Sequence, residues 1–375
     1  MKLRSIPTWV QAIVFFLVVA VAVYVTFSQG ILTEYWQQVI LAGAVLGISA
    51  LGLNLKYGYT GLFALGHAAF YGIGAYSSAL VTKDWLTQWS GSPVGGLAGL
   101  LGIESGFVAA VAVLMLIDIG HRRRAWRERL LKLIPSLEAS ILSTVATILV
   151  GGMVLVVVGG GVGWLVRRIV LAVGPSVLGA LPMAVSQQVV FFIALIAGAV
   201  LAALIGFLIS LPLLNLTYDY LCIATLGFGV MTYVFFNNAD QLIPTMKGAR
   251  GMVGIPRLTT WPWVVGTFAV ALVIMRNLIY SSTGRAILAT RDDLTAADTM
   301  GINTYQYKIL AYSIGCAFAG LAGGLYAHLY AFLHPSNFTW LKSVDPFVMV
   351  VFGGVGSMTG TILGAFSFVT LLEGL

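Results

Sequence analysis

The chain has 375 residues, with 20 Lys+Arg against 13 Asp+Glu and a formal net charge of +7. Charged residues make up 9% and hydrophobic residues 59%, at a mean hydropathy of +0.97, where a soluble domain carries about 25% charge. So few charges cannot solvate a surface in water. Lipid is therefore the main solvent, which excludes a cytosolic enzyme, a disordered regulator and a nucleic-acid binder, despite a pI near 9.4.

A membrane helix needs about 20 mostly apolar residues. Runs of that kind lie at 9–29, 36–55, 60–82, 104–119, 139–165, 188–212, 218–236, 261–280, 308–332 and 345–375. They are continuous and rich in Leu, Val, Ala and Gly, not the alternating short segments of a barrel. The predicted fold is all-α: one polytopic transmembrane domain over 1–375 with about ten transmembrane helices. The first run has no small-residue cleavage site and reads as a retained helix. Cys222 and Cys316 lie in separate apolar segments, which supports neither a disulfide framework nor a metal site.

Basic residues near span ends set orientation. Lys2 and Arg4 place the N-terminus in the cytoplasm. Five Arg and one Lys in HRRRAWRERLLK, residues 121–132, mark a second cytoplasmic segment. That run is either an ordinary inside loop or an anionic-lipid patch. Arg285, Arg291 and Lys308 put 281–308 on the same side. Ten crossings satisfy these anchors and leave only Arg167 and Arg168 outside, so that a run such as 169–184 could lie on the membrane surface.

Two apolar segments are unusually rich in glycine. Residues 57–75, YGYTGLFALGHAAFYGIGA, hold Gly58, Gly61 and Gly66, with Thr60 and His67 beside them. Residues 353–364, GGVGSMTGTILG, hold Gly353, Gly354 and Gly356, with Ser357, Thr359 and Thr361. Glycine weakens a helix and lets backbones approach closely. The segments are either tight packing surfaces or interrupted helices lining a translocation path, where irregular backbone is tolerated. A histidine at membrane depth is a functional suspect. His67 has no carboxylate nearby in sequence, so a neutral imidazole bonding a freed carbonyl is the preferred reading. His328 and His334 are expected at the interface, at the outer end of the 308–332 span.

The loop at 281–308 contains RDDLTAADTMGIN. Asp292 or Asp293 can cap a helix start and Gly301 can end it, predicting a helix of about two turns. Leu294, Ala297 and Met300 would share one face at i, i+3 spacing, and Ala296 and Ala297 are small enough to admit another surface. Such a helix suits a groove on a partner protein, or it is a packed internal loop. No G-x-x-x-x-G-K-[ST] phosphate loop occurs in the chain. The few acids in its spans offer no coupling-ion site of the kind an ion-coupled secondary transporter needs.

Several of these stretches together resemble the permeases of branched-chain amino-acid ABC importers. GLNLKYGYTGLFALGHAAFYGIGAY at 52–76 is similar to that family's early segment. RDDLTAADTMGIN at 291–303 resembles its ATPase-docking loop, with the A-A-x-x-x-G core at Ala296, Ala297 and Gly301. LCIATLGFGVMTYVFFNN, the GIP at Gly254–Pro256 and the tail through VVFGGVGSMTGTILGAF also match. The M-type subunit is the nearer of the pair. The resemblance implies a bacterial or archaeal cell (inner) membrane. It implies a second permease subunit of the H-type or similar, and a periplasmic substrate-binding protein. Two cytoplasmic ATPase subunits would carry the ATP and Mg, with no cofactor and no enzyme activity in this chain. It implies that Arg291, Asp292, Asp293, Leu294, Ala296, Ala297, Met300 and Gly301 dock an ATPase. The cargo would be branched-chain or other amino acids, or urea or short amides. The stretch 85–187 is longer than the family pattern and forms an enlarged insert, and Leu294 replaces a usual acid.

Overall fold

The computed structural model describes residues 33–83, 98–106, 108–109, 160–179, 182–214, 216, 218–241, 243 and 246–374. The first predicted span, the anchors Lys2 and Arg4, and the basic run at 121–132 lie outside the described residues. So do most of the predicted spans at 104–119 and 139–165. The chain divides into two compact units, residues 1–80 with 194–375, and residues 81–193.

The first unit contains every residue of the candidate site. Its helices are α1 (Glu34–Asn54), α2 (His67–Thr82), α5 (Tyr218–Asn237), α6 (Trp261–Tyr280), α7 (Ser282–Asp292), α8 (Leu294–Thr299), α9 (Thr304–Tyr330), α10 (Val344–Gly353) and α11 (Met358–Gly374). The second unit holds a helical stretch at 98–106 and α3 (Gly160–Gly179), while α4 (Met183–Leu213) begins there and runs into the first. Arg167 and Arg168 lie inside α3, with the Arg168 guanidinium 4.5 Å from the Trp164 ring centroid. A two-residue antiparallel ladder, β1 (Met252–Val253) with β2 (Phe332–Leu333), ties the α5–α6 loop to the end of α9.

Among the described residues, five helices are long and apolar enough to cross a membrane: Glu34–Tyr59, Val185–Leu213, Tyr220–Asn237, Trp261–Tyr280 and Thr304–Tyr330. The protein is an all-α, multi-pass membrane protein. Lipid, not water, accounts for large apolar side chains left outward on these helices, among them Ile223, Met231 and Ile274.

Glycines set the helix spacing, because apolar side chains gain nothing by leaving lipid for one another and close van der Waals contact must supply the cohesion. A Cβ on Gly52 would stand 2.6 Å from the Gly315 carbonyl oxygen, and one on Gly74 would stand 2.1 Å from that of Gly320. Thus α1 and α2 each lie backbone to backbone with α9.

One expectation changes here. The apolar run at 345–375 is not one span. It breaks at 354–357, where Gly354 (φ 103°) and Gly356 (φ 78°) take backbone angles that side chains disfavour. Helices α10 and α11 then fold back antiparallel, with Gly353 against Gly360 and Met349 against Gly364. His328 lies in the last turn of α9 and is fully buried within the protein, with Nδ1 2.8 Å from the Gly324 carbonyl oxygen.

Candidate functional site

The first glycine-rich segment begins where α1 widens into a π-helical turn, Leu55–Tyr59. A π turn shifts backbone pairing and frees carbonyls that must find other donors. Thr60 supplies one, its hydroxyl donating to Leu55 O at 2.7 Å. Gly61 N donates to Tyr57 O at 3.0 Å and Leu62 N to Lys56 O at 2.9 Å. Gly58 O accepts from Arg291 Nη1 at 2.7 Å, across 233 residues of sequence. Non-helical backbone follows to Gly66, with Leu65 N held by Thr225 Oγ1 at 3.1 Å. Gly66 packs on the Thr225 carbonyl, which a Cβ would approach to 2.4 Å.

The second segment is the turn between α10 and α11, and Asn54 holds it. Asn54 Oδ1 accepts from Gly356 N at 3.0 Å, while Nδ2 donates to Ser357 O at 3.1 Å and to Thr361 Oγ1 at 2.9 Å. A Cβ on Gly58 would lie 2.6 Å from Gly356 N, so the two interruptions touch. Thr359 is exposed, its hydroxyl 3.4 Å from Ser357 Oγ. The structure brings Gly58, Thr60, Gly61, Gly353, Gly354 and Gly356 into one packed joint. Gly66 and His67 stand apart from it.

His67 opens α2 and is fully buried. Its Nε2 lies 3.0 Å from Ser49 O and its Nδ1 3.3 Å from Lys56 Nζ. A carbonyl can only accept, so this geometry puts the proton on Nε2 and leaves Nδ1 to accept from the amine. Lys56 is itself 1% exposed. Its amine donates to Cys316 Sγ at 3.1 Å and sits 4.7 Å from the Phe70 ring centroid and 4.6 Å from that of Tyr312. Among the described residues it has no carboxylate partner. Soft acceptors and ring faces hold it instead.

Sequence reasoning missed Asn54 and Lys56. The available signal was a polar side chain inside an otherwise apolar run, LGLNLKYG, since such residues at membrane depth are expensive and need partners.

The loop after α6 forms two helices. Ser281 caps α7, accepting from Gly284 N at 3.1 Å. Asp293, not Asp292, caps α8, with Oδ1 accepting from Thr295 N at 2.8 Å and Ala296 N at 3.1 Å. Gly301 (φ 81°) ends the turn. The expected apolar face is only partly present. Ala297 is buried and Leu294 half-buried, but Met300, at the C-cap, is 82% exposed. Helix α8 stops at Thr299, so the i, i+3 register does not reach Met300. Ala296, Asp292 and Gly301 are exposed.

The family described as "Branched-chain amino acid transport system / permease component" matches residues 35–119 and 137–375. The high-affinity branched-chain amino acid transport system permease protein LivM of Escherichia coli K12 is 30% identical over 217 residues, 49% of this chain and 50% of that protein. The corresponding LivH protein of Salmonella typhimurium is 31% identical over 133 residues, 33% of this chain and 42% of the relative. An autoinducer 2 import system permease protein, LsrC, of Salmonella paratyphi B is 28% identical over 187 residues, 40% and 54% of the two chains. The chain spans about half the length of the curated relatives it matches. No solved structure matches it.

Proposed function

The chain belongs to the branched-chain amino acid transport system permease family, and from that premise we propose that it is the membrane permease of an ATP-driven importer. Its cargo is a branched-chain or other α-amino acid. Its partners are a second permease subunit, two cytoplasmic ATPase subunits that hold ATP and Mg, and a periplasmic binding protein. Helix α8, with Asp292, Ala296, Met300 and Gly301 outward, docks in an ATPase groove. The joint of Gly58, Thr60, Gly61, Gly353, Gly354 and Gly356 is the path in its closed state, with Thr359 exposed at its rim and Gly66 and His67 further along it. The end bearing α7 and α8 faces the cytoplasm.

The observation that carries this reading is a capped six-residue helix between two spans, with one buried alanine and an outward rim. Solvated rim and anchored root are what a docking element requires. The relatives' cargoes differ, branched-chain amino acids in one case and autoinducer 2 in another. Cargo choice is therefore assigned to the binding protein.

Cysteines at Ala296 and Thr299 test the docking. In the assembled transporter they should cross-link to an ATPase subunit, and uptake should follow ATP, not an ion gradient. Uptake that survives ATP depletion but collapses with an ionophore would replace this reading with an ion-coupled secondary transporter.

A further inference from the structure

We propose that Arg291 and Asn54 form the mechanical joint through which movement of the docking helix reaches the two interrupted segments. The inference rests on the docking of α8. It assigns Arg291 a different task from the other loop residues: its head group turns inward, onto the transmembrane backbone.

Three observations support it. First, Arg291 stands in the last turn of α7, two residues before the Asp293 cap of α8, with only Asp292 between them. A displacement of α8 is thus delivered to Arg291 without a flexible linker. Helix α7 is itself seated in the unit: Ile287 and Thr290 are buried, and Gly284 packs so closely that a Cβ would lie 2.2 Å from Ile279 O.

Second, the Arg291 side chain runs over one glycine of each interruption. Its Cγ is 3.6 Å from the Cβ position of Gly61, and its Nη1 is 3.0 Å from that of Gly356. Both glycines have positive φ. The guanidinium therefore spans both interruptions while donating to Gly58 O in the π-helical turn. Gly58 is buried, and a buried carbonyl left without a donor is costly. Displacing Arg291 thus forces the turn to find another pairing.

Third, Asn54 welds the same turn to the second interruption. It stands directly before the π-helical turn and binds Gly356 N, Ser357 O and Thr361 Oγ1. A shift of Gly58 therefore cannot leave the 354–357 turn behind. Packed elements with two discrete pairings, not elastic deformation, are how small shifts become switching.

The test uses the complete transporter in nanodiscs and needs no knowledge of the cargo. A solvent-sensitive fluorophore on V355C, at the tip of the second turn and 40% exposed, reports movement of the interruption when ATP is added. A cysteine at Thr299 reports docking by its cross-link to the ATPase. In the otherwise natural chain, ATP should change the fluorescence. In R291Q and in N54A the cross-link and ATP hydrolysis should persist while the fluorescence change falls roughly tenfold, the worth of one charge-assisted hydrogen bond. The double variant should lose no more than either single one, because both act in one joint. R285Q, on the same helix with its guanidinium on Tyr280 O and, among the described residues, not on either interruption, should respond like the natural chain.

An unchanged ATP response in R291Q, or no response in the natural chain although Thr299 cross-links, overturns the joint and leaves docking intact. Absence of the Thr299 cross-link in the natural chain overturns docking itself. Should R291Q not reach the membrane, R291K, which keeps the cation but loses the planar fork, is read by the same ratio of response to cross-link, and a full response again overturns the joint.

Discussion

Replacing Gly353 by alanine puts a methyl group where helices α10 and α11 have no space. Its Cβ would stand 2.1 Å from Gly360 O, 2.5 Å from Gly360 C and 2.9 Å from Thr361 N, all backbone atoms that cannot turn aside. An ordinary C···O approach is about 3.3 Å, so the helices must part by about 1.2 Å. A gap of that size forfeits a quarter to a half of each facing dispersion contact, and overpacking of this kind costs about 1–3 kcal/mol. The parting also strains the Asn54 bonds, which bridge Gly356, Ser357 and Thr361 and have little slack beyond 3.1 Å. Losing one adds about 1 kcal/mol. G353A should therefore lose about 2–4 kcal/mol in equilibrium unfolding in mixed micelles. The control is G266A, in the second turn of α6 with nothing within 4 Å of its Cβ position. There alanine should be neutral or gain up to about 1 kcal/mol from helix propensity. If G353A and G266A unfold within about 0.5 kcal/mol of each other, the backbone contact between α10 and α11 is not what holds the hairpin, and the steric reasoning fails.

Other substitutions separate contributions that the geometry superposes. K56A should cost about 2–5 kcal/mol by opening a gap beside Phe70, Tyr312 and Gly315, whereas K56M, which keeps the stem, should cost less than about 1.5 kcal/mol; equal losses would show that the amine and not the stem matters. N54D should be worse than N54A, because a second acceptor would face Ser357 O in place of the Nδ2 donor, by about 1–3 kcal/mol for the unsatisfied pair, measured by the same unfolding assay. D293A should remove the α8 cap at a cost of about 1 kcal/mol, seen as faster hydrogen exchange at the Thr295 and Ala296 amides with the rest of the chain unchanged. G354A should strain the turn only through its backbone angle, whereas G66A, with an ordinary backbone angle, must push directly against the Thr225 carbonyl, a backbone atom that cannot turn aside; G66A should be the less stable of the two in thermal unfolding.

Elements governed by local chemistry were legible in the sequence. The apolar runs at 36–55, 188–212, 218–236, 261–280 and 308–332 are helices because length and hydropathy decide that alone. Asp293 and Gly301 bound α8 because a cap and a positive-φ terminator act within a few residues. The fold-back at 354–357 was harder to read. Hydropathy sees one apolar run there, and only the pair Gly354 and Gly356 distinguishes a turn from a tolerated helical glycine. Met300 was misplaced because the i, i+3 rule assumes a helix that continues, and this one stops at Thr299. Asn54 and Lys56 were illegible for a deeper reason: their partners Gly356, Ser357, Thr361 and Cys316 lie 260–307 residues away. In an aqueous protein such a residue could turn to water, so its presence would constrain little. In lipid it must be satisfied by protein. Each lone polar side chain in an apolar run therefore implies a distant partner, and in this chain those partners belong to the second interrupted segment for Asn54 and to α9 for Lys56.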